Sequence, residues 1–339
     1  MSAARALGAS SLTISPVGFG AWSIGGPGWA YDGGPGRDET SLDSLLHACA
    51  SGVTWVDTAP MYGQGHSEQL VGRAARHLGS ARPLIFTKCG RRWDSPESAP
   101  YSDLRPASIK ADCDASLARL GVEVIDLLQI HWPEKRERTP LEESWAAMTQ
   151  LVEEGKIRAA GVSNFGVELL ERCEAVGHVD SLQIPFSLIV RDAAGGLLQW
   201  CAEHRTAVLA YSPMVIGLLT DSFAASQIAA LHPDDWRRRH PEFQSPRLER
   251  NLKVRDALRV VAEAHGTTVA AVAVAWVLSW PQVTGAIVGA STPAQVDGWL
   301  PASQTTLGES ELDLIADAIE ESGAGSGPPR PPQLRTTRT

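Results

Sequence analysis

Two hydrophobic periods take turns along this chain. Short runs rich in β-branched and aromatic residues, such as Val53-Thr54-Trp55-Val56 and Leu84-Ile85-Phe86-Thr87, stop abruptly in polar or small residues. Between them lie longer amphipathic stretches of helical period. The pattern predicts strands over 17–20, 53–57, 84–88, 124–130, 156–162, 181–184, 207–211 and 285–288. It predicts helices over 38–51, 67–78, 106–120, 141–154, 167–175, 196–204, 247–265, 268–278, 293–300 and 310–320, with Ser67 as the cap of the second. Residues 5–15 alternate weakly around a Gly-Ala-Ser turn and read as a short hairpin.

Strands alternating with helices imply a parallel sheet, and eight such units close naturally into an α/β TIM barrel, (β/α)8, here with an N-terminal hairpin and extra C-terminal helices. The competing fold is an open dinucleotide-binding sheet, which requires G-x-G-x-x-G after its first strand. Gly18 and Gly20 fit, but Ser23 stands where the third glycine belongs. Residues 1–321 are therefore expected to form one barrel domain. Residues 322–339 are rich in glycine and proline, basic and poor in apolar side chains, and are expected to form a flexible tail.

Composition narrows the function classes. A net charge of -9 and a pI near 5.5 argue against a nucleic-acid partner and against an anionic membrane surface. No leader-like apolar segment opens the chain, and no apolar run approaches the ~20 residues of a bilayer span. Cys49, Cys89, Cys113, Cys173 and Cys201 are odd in number and form no C-x-x-C pair, which suits reduced thiols in a cytoplasmic protein.

The candidate chemistry sits where strands end. Asp57, Lys88 and His131 terminate three successive predicted strands, and Tyr62 lies on the loop leaving the first. In a barrel these positions share the rim that holds the active site. A phenol keeps its proton at neutral pH, with an unperturbed pKa near ~10. A nearby ammonium stabilises the phenolate and is expected to lower that pKa, while a carboxylate orients the ammonium. A neutral imidazole can donate a hydrogen bond to a substrate oxygen. The combination suits a carbonyl that gains a proton on oxygen, with no metal required. No H-E-x-x-H or clustered His/Cys spacing is present. Trp22, Trp29 and Tyr31 on the first loop, together with Trp132, are candidates for a substrate wall.

VDTAPMYG with the following GHSE, FTK, LLQIHWP, GKIRAAGVSNF, the strand carrying Gln183, AYSPMVIGLL and VGASTP together resemble the aldo-keto reductase superfamily, in particular its bacterial stress-related branch. The resemblance spans about residues 17–300. It implies an NAD(P)H-dependent reductase of aldehydes or ketones, with Asp57, Tyr62, Lys88 and His131 as the tetrad and Tyr62 as general acid. It also implies that Ser163, Asn164 and Gln183 bind the carboxamide and that Tyr211 stacks on the nicotinamide. Ser212, Pro213, Gly217 and Leu218 would pass over the pyrophosphate, and Gly289, Ser291 and Gln295 would hold the adenosine phosphate. The family favours NADP(H). The loop Gly289-Ala290-Ser291-Thr292 lacks the usual basic residues, so NAD(H) stays open, with Arg237–Arg239 or Arg247 as compensating cations. The implied partner is a small carbonyl compound, and the implied state a monomer or small homo-oligomer. Alternative readings are a keto-sugar or secondary-metabolite reductase and a non-catalytic cofactor-binding regulatory subunit on the same fold.

Overall fold

The computed structural model describes residues 4–26, 29, 37–95, 98–136, 138–231 and 235–332. Eight strands close into one barrel: β1 Val17–Gly20, β2 Trp55–Asp57, β3 Leu84–Cys89, β4 Leu127–Ile130, β5 Ala160–Ser163, β6 Ser181–Pro185, β7 Ala207–Tyr211 and β8 Val283–Gly289. Every pairing is parallel, and β8 closes onto β1 with Ile287 opposite Gly18. Helices stand between successive strands, so all eight C-terminal strand ends share one rim, as the alternating pattern predicts.

The strands are apolar on both faces because both are covered. Inside the barrel, Trp55 packs on Phe86 with ring centroids 5.0 Å apart, beside Leu127 and Leu209. Leu7, Leu12 and Ile14 join this cluster from a hairpin that pairs Arg5–Ala6 with Thr13–Ile14, which ties the hairpin to the barrel interior. Gly18 makes room for the indole, since a Cβ there would lie 2.2 Å from a Trp55 ring atom. Val269–Leu278 is buried at every position, as its unbroken apolar sequence requires. Among the described residues no single helix is long and apolar enough to cross a membrane.

Two expectations are corrected. Ser67 does not cap its helix. The helix starts at His66, and Ser67 is buried, with its hydroxyl donating to the Ala21 carbonyl and contacting the Thr58 hydroxyl. Residues 323–332 are not loosely attached. Ala324 is buried, Ser326 bridges to Val190, and the buried Arg191 guanidinium donates to the Ala324 and Gly327 carbonyls. Arg330 pairs with Glu309 and Asp313. Backbone acceptors and two carboxylates thus hold a segment with almost no apolar surface; residues 333–339 lie outside the described residues. Phe223, Ile228, Leu231 and Trp236, from the stretch between β7 and the helix Arg247–His265, line the large cavity at the rim.

All five cysteines are free thiols. Burial pushes Cys113, Cys173 and Cys201 up to about 12. Cys89, whose Sγ lies 3.7 Å from Met148 Sδ, is also raised well above its ordinary value, by burial first and then by the Asp112 charge. These thiols therefore remain protonated and serve as packing groups.

Candidate active site

The strand ends bring the four rim residues together. β2 delivers Asp57 and β3 delivers Lys88, and the β2–β3 register places Asp57 opposite Phe86. Lys88 Nζ donates to Asp57 Oδ1 at 2.5 Å, to the Thr58 carbonyl at 2.9 Å and to the Tyr62 hydroxyl at 3.2 Å. Asp57 and Lys88 are almost completely buried, whereas Tyr62 and His131 are half-buried on the cavity wall. Their rings meet edge to face with centroids 6.1 Å apart. The Tyr62 loop passes close under the first loop. Gly63 has φ +60°, and a Cβ there would fall on the Gly25 carbonyl, so only glycine fits.

A second layer orients the ion pair. Gln183 Nε2 donates to Asp57 Oδ2 at 2.7 Å, and Gln129 Nε2 reaches the same oxygen at 3.4 Å. Gln129 was not singled out by sequence, although its place two residues before His131 puts it in the barrel interior. Asn164 donates from Nδ2 to the His131 carbonyl at 3.1 Å and to Ser163 Oγ at 2.9 Å, and its Oδ1 accepts from the Tyr211 hydroxyl at 2.9 Å. The phenol of Tyr211 is thereby fixed at the end of β7.

The electrostatics set two neutral rings, Tyr62 and His131, beside one charged ammonium. For Lys88, burial opposes the charge, but the Asp57 carboxylate and then the Tyr62 hydroxyl outweigh it and raise the pKa. His131 is held well below its ordinary value, by burial first and then by the Lys88 and Arg91 charges, so its ring is neutral. Tyr62 departs from expectation. Lys88 does pull its pKa down, but burial is the larger effect and the net shift is upward. The phenol is therefore protonated throughout the physiological range.

These groups open into a cavity of about 880 Å³. Asp57, Tyr62, His131, Ser163, Asn164, Gln183, Tyr211, Ser212, Pro213, Gly217, Gly289, Ser291 and Gln295 line it, as do Trp22, Trp29 and Trp132. Lys88 lies beneath the lining. Leu218 is the exception among the expected cofactor contacts. The backbone turns through positive φ at Ser212, Val215, Ile216 and Gly217, which carries Leu218 into the hydrophobic core. Positive φ at Val215 and Ile216 is strained for β-branched residues, and such strain concentrates at ligand sites. The aromatic wall is longer than sequence indicated: Tyr62, Trp29, Trp22 and Trp236 follow one another at 5.9, 6.3 and 6.1 Å. Trp236 could have been suspected as a lone indole in a polar run. Tyr31 lies outside the described residues.

At the far end, the lining formed by Gly289, Ser291, Gln295 and Trp299 carries no cation. Gln295 Oε1 accepts from the Ser291 amide at 2.7 Å. Of the arginines expected to compensate, Arg237 reaches the cavity but is bound to Asp235, and Arg247 pairs with Glu242.

The model of the family described as "Aldo/keto reductase family" matches residues 16–320. The chain belongs to the aldo/keto reductase family. It is thus an oxidoreductase of the NAD(P)H-dependent, carbonyl-reducing kind. The NADH-specific methylglyoxal reductase of Escherichia coli is 30% identical, with 93% of this chain and 97% of that protein covered. The solved glycerol dehydrogenase AKR11B4 of Gluconobacter oxydans superposes with a TM-score of 0.86 at 34% identity, covering 99% of both chains. An aldo/keto reductase from Klebsiella pneumoniae, solved with NADP and acetate, matches at 26% identity and a TM-score of 0.69, covering 98% of this chain and 97% of that one. The fold of this aldo/keto reductase is thus matched over nearly the whole chain.

Proposed function

We propose that this aldo/keto reductase reduces an aldehyde or ketone with Tyr62 as the proton donor. The observation that carries the reading is the buried Lys88 ammonium, bonded at once to Asp57, to the Thr58 carbonyl and to the Tyr62 hydroxyl. Asp57 and Gln183 keep that ammonium charged and fixed. His131 is neutral and donates from its ring to the substrate carbonyl oxygen, which holds the oxygen against Tyr62. Tyr62 then gives its proton to that oxygen, and the phenolate left behind faces the Lys88 ammonium. When bound, a reduced nicotinamide supplies the hydride that adds to the carbonyl carbon.

The lining fits such a group. Gln183 spends its amide nitrogen on Asp57, which leaves Oε1 as an acceptor for a carboxamide N–H. The Tyr211 ring is fixed at the end of β7 by its bond to Asn164, as stacking requires. The Ser212–Gly217 turn and the loop before the helix Pro293–Trp299 would take the phosphates. NADP is bound by the Klebsiella relative and NADH is specific to the Escherichia coli one. NADP(H) is the favoured cofactor here, and the neutral far end of the cavity keeps NAD(H) open.

The test is Tyr62→Phe. Turnover of a nitrobenzaldehyde should fall by roughly 10²–10⁴-fold, the span of a lost general acid, while NADPH still binds. Near-normal turnover would overturn the acid assignment. Tight NADPH binding with no turnover in the unaltered protein would favour a non-catalytic regulatory role.

A further inference from the structure

One charged group on the cavity wall is not used by the chemistry above. Arg91 follows β3 and opens a small hairpin, Arg91–Arg92 paired with Tyr101–Ser102. It stands beside His131: the His131 amide donates to the Cys89 carbonyl at 3.1 Å, two residues before Arg91, and the Arg91 charge is felt by the imidazole. A guanidinium has five N–H donors. Here Nη1 donates to Ser102 Oγ and Nη2 to the Pro100 carbonyl, both at 3.1 Å. Nε is buried without a partner. No carboxylate among the described residues forms an ion pair with Arg91. Of the other charges on the wall, Asp57 is paired with Lys88 and Arg237 with Asp235, while Asp221 accepts from the Val269 amide.

A half-buried arginine without a counter-ion is costly, because buried charges are ordinarily paired and a buried donor left open forfeits its hydrogen bond. With Nε enclosed and one N–H of each Nη spent, the remaining N–H on each Nη forms a donor pair that matches a carboxylate or a phosphate. We propose that Arg91 binds an anionic oxygen group of the substrate, so that the carbonyl compound reduced at Tyr62 and His131 carries a carboxylate or phosphate. This rests on the reductase reading and narrows its substrate class. The rival account is that Arg91 only fastens the hairpin through Ser102 and Pro100. That account uses two donors and predicts no dependence on substrate charge.

The test compares matched substrates on the full chain: 4-carboxybenzaldehyde against its neutral methyl ester, and glyceraldehyde 3-phosphate against glyceraldehyde. The anionic member of at least one pair should be favoured by about tenfold or more in kcat/KM, through KM, as a polar group built for its partner implies. That preference should weaken with salt. In Arg91→Met the ratio within each pair should collapse to about twofold or less, and Arg91→Lys should keep part of it. Because each ratio is taken within one variant, a general loss of activity or folding cancels. The pair that responds tells carboxylate from phosphate. Equal rates in the unaltered protein, or a preference that survives Arg91→Met, would overturn the proposal and leave the reductase reading intact. If no aldehyde is reduced, the reductase reading fails, and calorimetric titration with benzoate against benzyl alcohol still reports on Arg91. Selective benzoate binding that Arg91→Met removes would support the site, and equal binding would overturn it.

Discussion

Replacing Lys88 by methionine keeps an unbranched side chain one atom shorter and removes the charge on which the proposed mechanism depends. The ammonium is 3.2 Å from the Tyr62 hydroxyl. At an effective dielectric of about 20, a full phenolate charge at that distance is stabilised by about 5 kcal/mol. If roughly half of that charge has developed in the transition state, the loss is about 2–3 kcal/mol, or roughly 10²-fold in kcat. Full development gives nearly 10⁴. The same substitution strands Asp57, which is 2% exposed and is left with hydrogen bonds from Gln183 and Gln129 alone. Breaking a buried pair in this way typically costs about 3–5 kcal/mol of stability.

The two effects can be separated. In the double variant Asp57→Asn/Lys88→Met no buried charge is left unpaired, so most of the stability should return while the activity should not. Steady-state rates with a nitrobenzaldehyde give the catalytic loss, and denaturant unfolding gives the structural one. NADPH titration by tryptophan fluorescence should show binding in both variants. A single variant within about threefold of the normal kcat would refute the electrostatic role of Lys88, since the geometry requires at least ~10²-fold. Recovery of activity together with stability in the double variant would show that Lys88 acts only as a structural ion.

The pH dependence follows from the directions of two shifts. Tyr62 is raised above 10 by burial, so the reducing reaction has its donor at every pH below that and loses it only as pH climbs past the folded-state value. His131 is depressed well below 6.5 and is already neutral at pH 6. The kcat/KM profile for reduction should therefore be flat from about pH 6 to 9, alcohol oxidation should rise with pH, and a limb near 6.5 would contradict the assignment. Because the unfolded imidazole protonates near 6.5 while the folded one resists, His131 should also make stability fall as pH drops below 6.5. At the far end of the cavity, Gln295→Arg gives up the bond to the Ser291 amide but offers a guanidinium to a 2′-phosphate. The ratio of NADH to NADPH dissociation constants, read by fluorescence, should rise by about tenfold; no change would place the 2′-position elsewhere. Deleting residues 323–339 removes the Ala324 and Gly327 carbonyls from the buried Arg191 guanidinium. With hydrogen bonds to charged groups worth about 1.5–3 kcal/mol each, unfolding stability should drop by about 3 kcal/mol or more, and an unchanged denaturation midpoint would show that the tail is dispensable.

What could be read from the chain and what could not divides along a physical line. The barrel is legible because strand and helix periods are local properties, and a buried parallel sheet writes them in unbroken apolar runs such as Ala207–Tyr211. The convergence of Asp57, Lys88 and His131 is legible for a related reason: once the strands are parallel, residues that end them must share a rim, whatever the loops do. The sign of the Tyr62 shift was not legible. It depends on whether the enclosure of the phenol outweighs one ammonium at 3.2 Å, a balance set by atoms from several loops. The tail was misjudged because composition counts apolar area, whereas residues 323–330 are held by polar contacts: carbonyls around Arg191 and two carboxylates around Arg330. Arg91 escaped for the same reason in reverse. In sequence it is one of two adjacent arginines after a strand, and Arg92 pairs with Asp112 while Arg91 does not. Only the folded arrangement distinguishes a charge that is already answered from one with no counter-charge among the described residues. Under the proposed mechanism, substrate choice is therefore expected to rest on that charge, since the four residues proposed beside it would recognise the carbonyl alone.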